Sequence, residues 1–491
     1  MKYGKTFYLS LCLMAWAALI FAPLDADAAK ANGKAKLSKA VSQELFSQPN
    51  AFFDVNKMSD MSDFDPANPV VPKGDTIKIA IVASFSGPGA LNGSLYWAPV
   101  QWAAHDINKR GGILVDGKRK LVEVIRADHM SKPDQCKKVV ERLILQEKVQ
   151  FLWGTNGSHL MKIINETANK YKVISMSAAS VADDLQDATN FGRYSFMASC
   201  STEQIGRGLA YYYGQIKKKE KKFYILCQDY GFGREIANGF KKGLKEYYPE
   251  AKLVGEDYHK LFLTDFAPYL TKIQASGAEV IFTGDWIPDA ENLLKQSRQM
   301  GINLPFANLF MVDATMLNAV GVEGTKGLVN INMYDVPPPA FRTAESIKFY
   351  RAWNNQWKTW KAMPFNGPLF EHPTNVLGSY NQLTYWLLSV IERAGSTDPE
   401  KIIKVWEGDT YKFANGKIIK MRICDHKAIQ NFTVSEYVPP DLQNVSFNIP
   451  PYYWYKNASN MGPGSLIPAA KVLPLMDKNL DRCKGKSDWG E

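Results

Sequence analysis

What the sequence lacks narrows its chemistry first. Its six histidines (His105, His129, His159, His259, His372 and His426) form no H-E-x-x-H pair, and no serine sits in G-x-S-x-G. Six cysteines, Cys12, Cys136, Cys200, Cys227, Cys424 and Cys483, show neither C-x-x-C nor zinc-type spacing, so no metal site is expected. The stretch "IAIVASFSGPGALNG" (79–93) is glycine-rich, yet it is not G-x-G-x-x-G and no G-K-[ST] follows it. Pro88 also removes a backbone N–H where a phosphate loop needs one. Nucleotide cofactors are therefore not expected, nor is a catalytic nucleophile. After the first 28 residues no apolar run approaches the length that crosses a membrane.

What is present begins with an export signal. Lys2 and Lys5 precede the apolar stretch Phe7–Ala22, and Ala26-Asp27-Ala28 fits an A-x-A cleavage site. Cleavage near Ala28 is expected to deliver the mature chain to the periplasm. The net charge of +10 invites a polyanion, but an exported chain rarely meets nucleic acid, and none is expected as a partner. The densest basic run, Lys217-Lys218-Lys219-Glu220-Lys221-Lys222, reads as a solvated turn between a helix and a strand. Five cysteines survive cleavage, and an oxidising compartment permits one or two disulfides whose pairing the sequence leaves open.

From residue 77 short β-rich runs alternate with helical patterns. Strands are expected at Ile77–Phe85, Leu121–Asp128, Phe151–Trp153 and Val173–Met176, with helices at about 94–110, 133–148 and 158–170 between them. The alternation restarts at Lys222–Gln228 and continues through Leu253–Tyr258, Glu279–Thr283, Pro305–Phe310 and 327–334. This implies two doubly wound Rossmann-like α/β lobes with parallel sheets. Helical patterns return at about 341–361 and 374–394, after Pro337-Pro338-Pro339. Residues 29–75 read as an N-terminal extension with partial order, and 439–491 as a wrapping tail.

Ligands of doubly wound domains bind at the carboxyl ends of the strands. The loops to inspect are therefore 84–93, 128–132, 154–159, 177–180, 229–233, 284–289 and 310–313. Ser158 is placed to cap a helix and to share that helix start with an incoming anion. Asp128-His129 reads as a structural pair, and Asp425-His426-Lys427 lacks a nucleophile. Trp97 and Trp153 read as core, with a place against an apolar or aromatic ligand as the alternative.

Four stretches resemble a known family. They are "IVASFSGPGALNG" with "AAHDINKRGG" (103–112), "DYGFGREIANGFKKGLK" (229–245), "TDFAPYLTKIQASGAEVIFTGDWIPDAENLLKQSRQMGI" (264–302) and "MRICDHKAIQNFTVSEY" (421–437). In that order and spacing they resemble the type I periplasmic solute-binding proteins of the branched-chain amino-acid branch of ABC transporters. The resemblance implies two lobes joined by three crossings, near 198–201, 329–332 and 395–420. Lobe 1 would hold 76–199 and 331–395, lobe 2 would hold 200–330 and 396–438, and a solute would bind between them as they close by a hinge motion. It implies an ABC permease in the inner membrane as partner and no reaction on the solute. A sensory module that reports from the same cleft to another protein is the alternative, motivated by the long extensions.

Carried over by position, Ser158, Ala178 and Ser180 would hold a ligand carboxylate. Trp286 and Tyr230 would close over its body, and Asn92 would pack on its side chain. The glycines of 87–93 would let the backbone approach the solute. One position departs from the amino-acid-binding pattern: Phe310 stands where an acidic residue meets the ligand ammonium. A phenyl ring does not balance a desolvated ammonium as a carboxylate does, although a cation–π contact recovers part of the loss. Asp313 and Asp285 are the nearby carboxylates that would have to substitute. The cleft is thus expected to suit an apolar or aromatic carboxylate at least as well as an amino acid.

Overall fold

The computed structural model describes residues 57–439 and 458–490, apart from 88, 313, 333–337, 372–374 and 414–416. The expected signal peptide, Pro88, Asp313 and Pro337 lie outside the described residues. Among the described residues no helix is long and apolar enough to cross a membrane.

β1 (Ile77–Ala83) is Ile-Lys-Ile-Ala-Ile-Val-Ala and buried at nearly every position, as a strand covered on both faces must be. β2 (Ile113–Val115) and β3 (Lys118–Lys120) form a hairpin around Asp116-Gly117, both at positive φ. That dipeptide is a preferred two-residue hairpin turn. β4 (Val122–Asp128), β5 (Phe151–Gly154), β6 (Ile174–Ser177) and β7 (Ser195–Met197) join β1 in a parallel sheet of order β4-β1-β5-β6-β7.

β8 (Lys222–Gln228), β9 (Lys252–His259), β10 (Val280–Phe282), β11 (Phe306–Asn308) and β12 (Val329–Asn332) repeat it as β9-β8-β10-β11-β12, again parallel. The molecule therefore has two doubly wound α/β lobes with the same strand order. Parallel neighbours require a crossover over one face of the sheet, and helices supply it in both lobes. Downstream lie a small antiparallel sheet of β13 (Thr410–Lys412), β14 (Ile418–Met421) and β15 (Ala428–Gln430), and then β16 (Phe432–Val438), which pairs antiparallel with β12.

The helices Ala344–Trp357 and Asn375–Ala394 return to the first lobe. Trp353 packs on Trp102 with centroids 5.0 Å apart, Tyr380 stacks on Tyr96 at 4.0 Å, and Tyr385 donates to Asp106 at 2.7 Å. Residues 396–438, expected in lobe 2, divide differently. The helix Pro399–Trp406 and the small sheet pack on the first lobe, and only β16 joins the second. Trp406 stacks on Phe196 at 4.3 Å, Glu400 pairs with Arg193, and His426 stacks on Phe196 at 4.2 Å. The cause is aromatic burial: Trp386, Trp406 and Tyr411 form one buried cluster that a Gly/Asn-bounded stretch of sequence conceals.

The end of the N-terminal extension is part of the first lobe. Phe64 lies edge-on to Trp102 and Trp360, and the indoles of Trp97 and Trp360 donate to the carbonyls of Pro66 and Phe64. In the second lobe the helices Thr202–Tyr211 and Gly231–Tyr247 touch through glycine. A Cβ on Gly206 would lie 2.3 Å from the amide nitrogen of Phe240, and one on Gly243 would lie 2.7 Å from Ala210 Cβ.

The tail is engaged with both lobes. β17 (Asn460–Met461) and β18 (Ser465–Ile467) pair with β16. Further on, the buried Arg422 donates to the carbonyls of Pro474, Leu475 and Asp488, Asp477 accepts from Ala188 N, and Cys483 is joined to Cys424. Cys136, Cys200 and Cys227 are buried and stand outside any disulfide among the described residues. Closing a loop of this length restricts the unfolded chain, so Cys483→Ser is expected to lower stability by about 2–4 kcal/mol. Denaturant unfolding of the oxidised wild type against the variant measures it.

Candidate functional site

The carboxyl ends of both sheets face a common cleft, and the loops after the strands furnish its walls. Asn92, Leu95, Tyr96, Asn156, Ser158 and Ala179 come from the first lobe. Tyr230, Phe232, Trp286, Ile287, Phe310 and Val312 come from the second, with Leu369 from the returning segment. The space not filled by protein atoms is about 660 Å³, part of it open to solvent, which is the size of a small-molecule site.

The loop after β1 is tied down by its neighbours. Asp128 accepts from Phe85 N at 2.9 Å and from Ser86 Oγ at 2.6 Å, Ser84 Oγ meets Ser131 Oγ at 2.7 Å, and Asn156 accepts from Ser84 N. Burial alone would raise the Asp128 carboxyl, but the hydrogen bonds from Ser86, Met130 and Phe85 outweigh it and hold it below the usual range. His129 is pushed down to about 4 by burial, and its Nε2 bonds Thr155 Oγ1. Asp128-His129 therefore braces loops. The glycines serve the same bracing rather than approach to a solute: a Cβ on Gly93 would sit 2.3 Å from the Ser84 carbonyl, and one on Gly89 would sit 2.7 Å from Asn156 Nδ2.

The helix Ser158–Tyr171 starts at the cleft without a side-chain cap. Its N-cap is Gly157 at φ 88°, a backbone setting that favours glycine. Ser158 stands one place further on, and its Oγ accepts from Ala182 N at 3.4 Å. The expectation that Ser158 caps the helix is thus corrected: the uncapped N–H groups and the positive end of the helix dipole face the cleft. Ala178 and Ser180 are corrected as well. Ala178 is fully buried, and the Ser180 hydroxyl donates to the Thr155 carbonyl at 2.6 Å, away from the cleft. Ala179, between them, faces it.

On the opposite wall Trp286 Nε1 donates to Tyr230 Oη at 2.9 Å. Burial pushes the Tyr230 phenol up, so it keeps its proton, which the bond from Trp286 leaves available to another acceptor. Phe232 bridges the rings, 5.8 Å from Tyr230 and 6.2 Å from Phe310. Asn92 lies across from them, its amide 3.3 Å from the Gly89 carbonyl.

Of the seven predicted ligand-binding positions, Asn92, Ser158, Tyr230, Trp286 and Phe310 come together at the cleft, and Ala178 and Ser180 do not line it. The others at the wall were readable in part: Tyr96 is one helical turn after Asn92, and Phe232 follows Tyr230 in the same turn. Leu369 carried no local signal. Trp97 and Trp153 are core.

No charged side chain lines this space among the described residues. Asp285 is fully buried behind Trp286, where its Oδ1 accepts from Gln228 N at 3.0 Å and its Oδ2 meets His259 Nε2 at 2.7 Å. It is not available to a ligand ammonium. The nearest ion pair, Lys162 with Asp184, lies with His159 in an adjoining space at the lobe boundary.

Residues 76–441 match the sequence model of the family described as periplasmic binding protein. The chain belongs to that family. Its branch is the type I, branched-chain amino-acid one, and membership implies a periplasmic protein that binds a small solute. An amino acid binding protein of Pseudomonas aeruginosa is 27% identical over 260 residues, which span 52% of this chain and 66% of that protein, just under two thirds of its length. A leucine-, isoleucine-, valine-, threonine-, and alanine-binding protein of the same organism is 24% identical over 390 residues, 78% of this chain and 91% of that one. Among solved structures, an ABC transporter solute binding protein from R. palustris in complex with 4-hydroxybenzoate has a TM-score of 0.63 at 21% identity. That likeness covers 75% of this chain and 94% of that one.

For this periplasmic binding protein, the buried Ser180 hydrogen bond makes a separable prediction. Ser180→Ala removes a net contribution of about 1 kcal/mol, to be read as a lowered midpoint in chemical denaturation with the cleft side chains left in place.

Proposed function

We propose that the protein is the substrate-binding component of an ABC uptake transporter and captures small carboxylates with an apolar or aromatic body. The carboxylate would sit at the uncapped start of the helix Ser158–Tyr171, against the Ser158 and Ala179 backbone. The body would lie between Trp286, Phe310 and Tyr96, with the Tyr230 hydroxyl offered to a polar substituent. Closed lobes would then present the loaded protein to a permease in the inner membrane.

One observation carries this reading: the cleft offers a donor-rich helix start for an anion and, among the described residues, no side chain to balance a cation. An α-amino acid brings both charges, and an unpaired ammonium in a closed apolar cleft is costly. Phe310 in place of an acid supports the same preference, as does the 4-hydroxybenzoate in the structural relative.

A thermal-shift comparison of 4-hydroxybenzoate, phenylacetate, leucine and alanine tests it. A ligand at about a hundredfold its Kd stabilises by about 2.7 kcal/mol, so the aromatic acids are expected to raise the melting temperature by several degrees and the amino acids little. Stabilisation by leucine and none by the aromatic acids would overturn the proposal. Trp286→Ala is expected to weaken 4-hydroxybenzoate about tenfold to a hundredfold, in keeping with loss of an aromatic anchor. Phe310→Glu is expected to abolish its binding, because two carboxylates would share one low-dielectric space. Isothermal titration reads both.

A further inference from the structure

Where the lobes meet beside the cleft, a carboxylate from each approaches one hydroxyl. Glu235 stands on the helix Gly231–Tyr247 of the second lobe, and Asp183 opens the short turn Asp183–Gln186 that follows β6 in the first. Glu235 Oε2 accepts from Asp183 N at 2.6 Å and lies 2.8 Å from Thr202 Oγ1. The same hydroxyl lies 2.7 Å from Asp183 Oδ2. A hydroxyl has one proton to give, so it satisfies one of the two flanking oxygens and turns a lone pair to the other.

Their surroundings decide which carboxyl holds the charge. Asp183 Oδ1 takes Lys427 Nζ at 3.2 Å, and its Oδ2 takes the backbone N–H of Glu203 at 2.7 Å. The other cations on the packed elements are engaged by other acids. Lys162 pairs with Asp184, Lys242 with Glu203, Arg207 with Glu246 and Arg234 with Asp229. His159, at the start of its helix, is held below its ordinary value by burial. Burial, with the charges of Asp183 and Asp184 beside it, raises Glu235 to about 7.

We propose that Glu235, Thr202 and Asp183 form a proton-dependent latch between the lobes. With a proton on Glu235 the groups bond in a chain: Glu235 donates to Thr202, Thr202 donates to Asp183, and the Asp183 amide donates back to Glu235. Without that proton, two carboxylates oppose each other across the lobe boundary and opening is favoured. A carboxyl raised where the lobes meet takes up a proton as that contact forms, and the contact holds the lobes together. Its contribution is therefore fully present below the ordinary carboxylate value, fades as pH rises to about 7, and is level above that. Mild acid tightens the closed state and a mildly alkaline medium loosens it.

Small-angle X-ray scattering of the ligand-free mature chain tests the latch. Closure linked to one proton shifts up to tenfold per pH unit, so the ratio of closed to open forms is expected to be about tenfold higher at about pH 5.5 than at about pH 8. The radius of gyration should be correspondingly smaller in acid. Glu235→Gln reproduces the protonated bonding pattern at every pH, and should stay at the compact value in both buffers. A wild type with the same radius at both pH values, or a Glu235→Gln variant that expands as the wild type does, would overturn the proposal. Because no solute is added, the result stands apart from that of the carboxylate reading.

Discussion

Parallel strand pairing is the constraint on which the rest of the molecule depends. A parallel neighbour is reached only by carrying the chain back over a face of the sheet, so every strand ends at the same edge and every strand-to-helix loop emerges there. Two sheets with this property, set with those edges toward each other, gather a dozen loop positions from distant parts of the chain around one volume. Asn92 and Phe310 are more than two hundred positions apart in sequence and line one cleft for this reason. The helix starts that accompany such loops bring their unpaired N–H groups, which fixes the sign of the charge that the volume accepts most cheaply.

Against that background the second lobe contributes most of the rings, with Tyr96 the one aromatic from the first among the described lining residues. Trp286, Tyr230, Phe232 and Phe310 form a mostly apolar wall in which the one polar edge, the Tyr230 hydroxyl, is oriented by the indole beside it. Asp285, the carboxylate nearest in sequence to this wall, is hydrogen-bonded to His259 and to Gln228 N behind it, where it orders the Trp286 loop from within. At the cleft the first lobe thus brings an uncapped helix start, and the second brings most of the aromatic surface.

Much of this was legible in the residues. The near-continuous apolar runs of β1, β5 and β8 and the alternating β4 announced themselves, and the polar and glycine residues that follow them placed the cleft loops. Ser158, Tyr230, Trp286 and Phe310 reach the cleft because each follows a strand immediately. The hairpin around Asp116-Gly117 was missed although its turn dipeptide carries the signal, and three-residue β7 was too short to carry a period. Side-chain direction within a loop was not legible: Ala178, Ala179 and Ser180 are neighbours of similar size, and which one faces the solute depends on where the Ser180 hydroxyl finds its acceptor. The placement of 399–430 against the first lobe was also hidden, because it is decided by contacts of Trp406 and Tyr411 with partners far away in the chain.

The tail alters the mechanics of the pivot. Asn431, at the point where the chain passes from the small sheet to β16, accepts through its side chain from Ala469 N at 2.7 Å. On one side of that residue β18 lies along β16, and on the other the 474–488 segment is fastened to Arg422 and Cys424. The crossing is therefore two-ply, a strand with a splint laid beside it and riveted at one end. A splint so close to the axis has almost no lever arm against opening of the lobes, but it resists their twisting and sliding past each other. Lobes that closed about this crossing on a solute would thus be returned to the same register each time.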